Sequence, residues 1–280
     1  MLTQQELHER VLYPVVRIRT QKAGGSGVLV YSQPDPKKPG KWLNIALSCH
    51  HVLDDAITVK EDWDGVLKQQ RKKDFFAEVQ AEVFDYDGSK IVSANATQAD
   101  IIAYDAHHDM AAIRLHNSRR MPFVATMIPE DRIDVLKLFD PVFASGASLL
   151  HEPFATDGRI TFLREVIDQK EFLMTSASSI FGASGGALIH AETGQLLGLI
   201  CRVTAIQLGF GVDVLAWMNF SSHPKRLYEF FRDQELQFLY DSGDNYYDAM
   251  DRRERRRKDA LRSILLGEDN GNKDERGGGE

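Results

Sequence analysis

The chain has 280 residues, a formal charge of -7 and a hydrophobic fraction of 43%, enough apolar material to bury a sizeable core in one or two domains. The acidic balance argues against a protein built to coat nucleic acid, and two cysteines, Cys49 and Cys201, cannot make a disulfide framework. No apolar run approaches the roughly 20 residues that span a bilayer, and the opening "MLTQQELHER" lacks the basic patch and apolar stretch of a signal peptide. A soluble, cytoplasmic setting without membrane contact is therefore expected.

The first ten or so residues read as a short polar helix. Strand signals follow: "VVRIRT" (15–20), "SGVLVYS" (26–32) and "KWLNIALS" (41–48), with the turn "QPDPKKPG" before the last. "AEVQAEVF" (77–84) alternates, with Glu78, Gln80 and Glu82 on one face and Val79, Ala81 and Val83 on the other. The charged stretch at 60–74 interrupts this group as a surface insertion, and "DMAAIRL" (109–115) closes it. A linker near 118–135 leads to a second group at 141–147, 158–167, 171–177, 186–191, 195–205 and 209–217. Short strands broken by Gly, Pro and Asp turns predict an all-β chain. Two groups of about six predict two β-barrels. A helix is predicted over 223–240, opened by Pro224, with Leu227, Phe230 and Phe231 on one face. After "DSGDN" comes a second helical stretch near 246–266, and 267–280 reads as a disordered tail. The predicted layout is thus 1–118 for the first helix and barrel, 119–222 for the second barrel and 223–266 for the C-terminal helices.

One short stretch carries chemistry. In Gly182-Ala183-Ser184-Gly185-Gly186 a serine sits among glycines, fitting both the G-x-S-x-G elbow of α/β-hydrolases and the G-x-S-G-G loop of trypsin-like proteases. The elbow needs a following helix, with its acid and then its histidine downstream. Here "GALIHA", "ETG" and "QLLGLICRV" read strand, turn, strand, and only His190 and His223 lie beyond. The elbow fails on local structure. The other loop needs a histidine and an aspartate upstream at strand ends. "LNIALSCHHVL" offers His50 and His51; "AYDAHHDMAAIRL" offers Asp105 and Asp109, of which only Asp109 directly precedes the apolar strand. A serine hydroxyl needs an adjacent base, imidazole suits that task, and a carboxylate fixes the imidazole tautomer. Backbone N–H groups of Gly182 and Ser184 can converge on a developing oxyanion. No spacing among Cys49 and the paired histidines matches a zinc motif, so neither metal nor cofactor is expected.

In order and spacing, "GGSGVLV", "LSCHHVL", "DMAAIRL", "GASGGALI" and "TAIQLGFGVDV" resemble the trypsin/chymotrypsin-fold serine proteases, especially the HtrA-like branch, over roughly residues 12–218. The resemblance implies two six-stranded antiparallel barrels with a helical C-terminal extension. It implies serine endopeptidase activity on a protein or peptide substrate, with His51, Asp109 and Ser184 as the triad and Gly182 and Ser184 as the oxyanion hole. It places a primary pocket near Ser178, the backbone around Arg202 and Val203, and Val212 or Asp213. A valine at the rim would favour small aliphatic side chains and an aspartate at the floor would favour Arg or Lys; strand alternation leaves both open. Two departures stand out. Ala183 replaces the aspartate that binds the freed N-terminus in trypsin-like zymogens, closing that activation route. Cys201 stands where many relatives place a serine near the aspartate. The roughly 60 residues after the second barrel are too few for the PDZ-like domain usual in HtrA-like proteins.

The tail carries Arg252, Arg253, Arg255, Arg256, Arg257 and Lys258 among Asp248, Asp251, Glu254 and Asp259. That balance reads as a solvated helix, not a nucleic-acid contact. Ala260, Leu261, Ile264 and Leu265 form an apolar patch that could dock a protein partner or fold back on the barrels. A catalytically silent interaction module of the same fold is the alternative to an enzyme.

Overall fold

The computed structural model describes residues 2–64, 68–209 and 211–266; for residues 64, 69, 208, 212, 261 and 264–266 the backbone alone is described. The predicted disordered tail at 267–280, and the side chains of Leu261, Ile264 and Leu265, lie outside the described residues. A capping box opens the chain: Thr3 Oγ1 accepts from Glu6 N at 3.3 Å while the Glu6 carboxylate accepts from Thr3 N at 2.9 Å. It starts the helical turn α1 (Gln4–Leu7), which runs into a π-turn over His8–Leu12.

The first barrel closes from β1 (Val15–Arg19), β2 (Gly24–Pro34), β3 (Trp42–Ser48), β6 (Val79–Asp87), β7 (Lys90–Asp105) and β8 (Met110–Leu115), in the order β1-β2-β3-β8-β7-β6. The alternation in β6 does what its pattern implies: Val79, Ala81 and Val83 are buried, while Glu82 reaches across to Arg17 and Arg19 on β1. β7 is the strand that the sequence pattern does not reveal. Its first half, "KIVSANATQ", is polar and largely exposed, and only its pairing with β6 and β8 makes it a strand. Within the charged stretch, β4 (Ile57–Asp64) and β5 (Gln69–Phe76) form a separate two-stranded ribbon.

The second barrel contains β10 (Pro141–Gly146), β11 (Phe154–Ile167), β12 (Lys170–Thr175), β13 (Ala187–His190), β14 (Gln195–Leu208) and β15 (Gly211–Ser222). Pairing runs β13-β10-β11-β12-β15-β14, and a β13–β14 pairing closes the ring. The short β9 (Thr126–Met127) lies parallel to β14 on the outside. Ile18, Ile45 and Ile113 fill the first barrel, and Ile160, Leu173, Leu188 and Leu199 the second; all are buried.

Two longer helices follow, α3 (Pro224–Asp233) and α4 (Tyr246–Leu266). Leu227, Phe230 and Phe231 are buried as their spacing implies, each burial stabilising by roughly 1.5–3 kcal/mol. α3 ends earlier than the amphipathic pattern suggests. Glu235 adopts φ +55° and Leu236 N donates to Phe231 O at 2.7 Å, the closing bond of a Schellman cap. The basic run is not wholly solvated either. Arg252 pairs with Asp244 and Glu235, Arg253 donates to Gln234 O, and Arg256 reaches Asp233 O and Glu235, so α4 is fastened to the end of α3.

His223 caps α3: its Nδ1 accepts from Lys225 N at 3.3 Å, which requires a neutral ring. Burial is the main cause pulling its pKa down to about 4, with Glu171 opposing and Lys225 assisting. The folded value lies below the unfolded 6.5, so this contribution is intact above the unfolded value and is lost as pH falls towards the folded one. Over that window the loss should reach roughly 3 kcal/mol. Urea titrations across it should show most of this loss disappearing in His223→Asn, which keeps a capping side chain without the titration.

Candidate active site

β3 delivers a histidine to the seam between the barrels. It ends at Ser48, and the chain turns through Cys49 into the single helical turn α2 (His50–Leu53). His51 Nδ1 lies 2.9 and 3.1 Å from the two carboxylate oxygens of Asp109, and His51 N donates to Asp109 Oδ1 at 3.0 Å. One carboxylate therefore grips ring and backbone together, fixing the Nδ1–H tautomer and turning Nε2 outward. Burial works against ionisation of Asp109. The bonds from His51 and the charges of His51 and His50 outweigh it and hold the carboxyl below its usual range. Asp105 is engaged elsewhere, with His108 Nδ1 at 3.0 Å and His108 N at 3.0 Å. His50 stacks on Tyr104.

The serine loop comes from the other barrel and docks on β2 and β3. Ser26 N donates to Ser184 O at 2.8 Å. Ser26 Oγ donates to Gly182 O and accepts from Ala147 N, each at 2.7 Å, and Ser48 Oγ donates to Ser26 O at 2.8 Å. The approach is so close that a Cβ on Gly185, itself at φ +83°, would lie 2.2 Å from Ser26 O and 2.4 Å from Ser48 Oγ. Only glycine fits there. Gly182 has φ +89°, and the preceding carbonyl, Phe181 O, accepts from Leu149 N at 2.8 Å. Since N–H and C=O of one peptide point oppositely, the Gly182 N–H turns away from Leu149 N. Among the described residues neither Gly182 N–H nor Ser184 N–H has an acceptor within the protein. Ser184 Oγ likewise makes no hydrogen bond among the described residues, His51 Nε2 included. Leu149 and Leu150, at φ +53° and +60°, take up strain beside this loop.

Cys49 and Cys201 sit where the barrels meet, their sulfurs 3.6 Å apart and both buried. Their sulfurs and the Asp109 carboxylate lie within 4.8 Å of one another, so Cys201 does adjoin the aspartate. Burial pushes the Cys49 thiol well up. An open cleft of about 490 Å³ beside the dyad is lined by His51, Asp109, Lys170, Phe172, Cys201 and Arg202.

The expected pocket residues are only partly brought together. Ser178 is exposed and its carbonyl accepts from Thr156 Oγ1 at 2.6 Å. It is the next residue, Ser179, whose N donates to Ala216 O at 3.1 Å, and Val203 pairs with Asn219, both further along β15 than the spacing suggests. Asp213 pairs with Ile206 on the exposed outer part of the β14–β15 hairpin, and Val212 pairs with Gln207, its side chain lying outside the described residues. The physical reason is a bulge. Between Val203↔Asn219 and Thr204↔Leu215 the register shifts, leaving Ala216, Trp217 and Met218 extra on β15. Arg202 is drawn aside to Asp168 at 3.1 Å. Ser26 and Ser48, which hold the serine loop, escape a reading based on chemical side chains. Their only signal is the run of small residues in "GGSG".

Two six-stranded barrels, with the histidine and aspartate on one and the glycine-flanked serine on the other, define a chymotrypsin-like fold. Residues 25–199 match the family model described as a Trypsin-like peptidase domain, well over half of the chain, and the chain belongs to that family. Among solved structures it is similar to the HtrA-type protease AlgW with a tripeptide (18% identity, TM-score 0.58, 85% of this chain covered). A serine-to-alanine variant of AlgW with a tripeptide gives the same identity and TM-score over 84% of this chain. The chain spans 64% of the length of each. No curated protein matches it.

The docking of the loop sets a graded expectation for stability. Ser26→Ala leaves Gly182 O and Ala147 N unpaired and should lower the unfolding free energy by about 1–3 kcal/mol for each partner that stays dry. Gly185→Ala drives a methyl into backbone and should cost more than Ser26→Ala. Urea midpoints in the reverse order would contradict the packing described here.

Proposed function

We propose that this chain is a serine endopeptidase that works through an acyl-enzyme on Ser184. The observation that carries the reading is the His51–Asp109 hydrogen bond at 2.9 Å, set against a serine loop whose two N–H groups have no acceptor among the described residues. His51 Nε2 takes the Ser184 proton as Oγ attacks the peptide carbonyl carbon. Asp109 holds the Nδ1–H and stabilises the imidazolium. The carbonyl oxygen becomes negative against Gly182 N–H and Ser184 N–H, each such donor contributing about 3–4 kcal/mol in the transition state. His51 then passes its proton to the leaving amine, and water repeats the sequence to release the acyl group. That the similar AlgW structures hold a tripeptide supports a peptide or protein substrate here.

Ala183 is buried, and Ser26 supports the loop through the Gly182 carbonyl, so the loop takes its shape without a freed N-terminus. With Val203 and Ala216 as the walls of the primary pocket, Asp213, paired with Ile206 on the outer part of the hairpin, supplies no carboxylate to it. The favoured P1 residue on this reading is uncharged, and small as in the elastase-like and HtrA-like members the chain resembles. One observation favours the second reading, a silent peptide-binding module: the Ser184 hydroxyl has no bond to His51. Catalytic hydrogen bonds are often long without substrate, so this does not outweigh the dyad.

A fluorophosphonate probe should label the wild type and not Ser184→Ala, and that substitution should lower turnover by about 10⁶-fold. An intact, folded wild type that takes no label supports the silent module. A peptide-library profile should show cleavage after small uncharged residues; a preference for Arg or Lys would place a carboxylate in the pocket and contradict the position of Asp213.

A further inference from the structure

The turn that carries Asp109 is held from outside its own barrel. Asp109 adopts φ +54°, a left-handed conformation that costs a non-glycine residue about 1–3 kcal/mol and persists only where its surroundings impose it. That φ depends on the orientation of the His108–Asp109 peptide plane. The carbonyl of this plane accepts from a guanidinium nitrogen of Arg226, in the first turn of α3. A second guanidinium nitrogen donates to Glu171 O at 3.2 Å on β12, and the guanidinium carbon lies 4.7 Å from the centre of the Phe172 ring. Lys170 Nζ reaches Ala106 O at 3.5 Å in the same turn, and Asp105 accepts from His108 N.

Arg226 is 4% exposed and among the described residues makes no ion pair within 4.0 Å. A buried guanidinium without a carboxylate partner is costly, and fastening a helix to a surface would not need one. Two carbonyls, one from each barrel, and a ring face are what it holds. It also lies outside the segment that matches the family model, residues 25–199.

We propose that Arg226 is a positioning residue for the reaction, holding the left-handed turn that aims the Asp109 carboxylate at His51. This rests on the protease reading above. Arg226 touches neither substrate nor reacting atoms; it acts through the His108 carbonyl, and so ties the C-terminal helix to the orientation of the catalytic imidazole.

Arg226→Met keeps the aliphatic stem beside Phe172 and removes every donor, whereas Arg226→Lys keeps the charge and one anchoring nitrogen. With rates normalised to folded protein, kcat on a peptide substrate should fall by about 10²-fold in R226M and by less in R226K. KM should stay within about twofold, as when only the transition state loses support. The low-field NMR resonance of the His51 Nδ1–H bonded to Asp109 should be present in the wild type, weakened in R226K and lost in R226M. Wild-type kcat and an intact resonance in folded R226M would overturn the proposal. Should R226M not fold, the same outcome in R226K overturns it. The resonance needs no turnover: an inert wild type that shows it and loses it in R226M refutes the protease reading and supports the positioning role.

Discussion

Everything in this molecule hangs on a contact with no room for a methyl group. The backbone of Gly185 lies against Ser26 O on β2 and against Ser48 Oγ and Cys49 N, where β3 ends and the chain turns into His51. Because the chain meets itself there so closely, the serine of one barrel and the histidine of the other are placed by a main-chain bond, Ser26 N to Ser184 O, and by short buried serine hydroxyls bonded to main chain. Main chain has few soft degrees of freedom, so placement of this kind is tighter than flexible side chains alone provide. Orientation is worth a great deal to a reaction between two bound groups. The run of small residues in "GGSG" and "GASGG" is therefore one feature seen twice, the two halves of a single seam.

Strain gathers around the same seam. Asp109, Leu149 and Leu150 all occupy left-handed backbone, where aspartate is tolerated and leucine is rare. Each is held by a named bond: Leu149 N to Phe181 O, Leu150 N to Ala147 O, and the carbonyl before Asp109 to Arg226. The leucine turn aims the Gly182 peptide, and the aspartate turn aims a carboxylate. Two costly conformations thus flank the two polar features the proposed chemistry uses, in keeping with strain concentrating at functional sites. The rigid barrels on either side supply the surroundings that can impose it.

How much of this was legible in the sequence follows from what each feature depends on. β6 was readable because one face is buried, and burial writes a period of two into the residues; β8, buried almost throughout, was readable as a short continuous apolar run. β7 was not, since its first half gains little from apolar contact and is a strand by virtue of its neighbours. The His51–Asp109 pairing was readable from residue types at strand ends, and the same signal nominates the glycine-flanked Ser184 as the third member of the proposed triad. The pocket wall was not. Whether residue 213 or residue 216 stands opposite Ser179 is decided by a three-residue bulge on β15, and a bulge depends on pairing geometry that no single strand records. The end of α3 was missed for a similar reason: Glu235 is an ordinary helix former that the Schellman cap puts in a left-handed conformation.

The C-terminal extension looks separable in sequence, beyond the matched family segment and rich in charge. The contacts say otherwise. Arg252, Arg253 and Arg256 fasten α4 to the end of α3, and the buried faces of Leu227, Phe230 and Phe231 fix α3 against the barrels. From its first turn Arg226 reaches a carbonyl on each barrel. Each link is a hydrogen bond or a buried apolar contact, so a load placed on α4 is carried to the Asp109 turn without passing through solvent. A helix that only covered apolar surface would place its cations outward, where hydration is free. Here one cation is buried in the first turn of α3, and the carbonyl it holds belongs to the peptide that orients Asp109. The extension is thereby part of the site's scaffold, and the seam between the barrels has a third member.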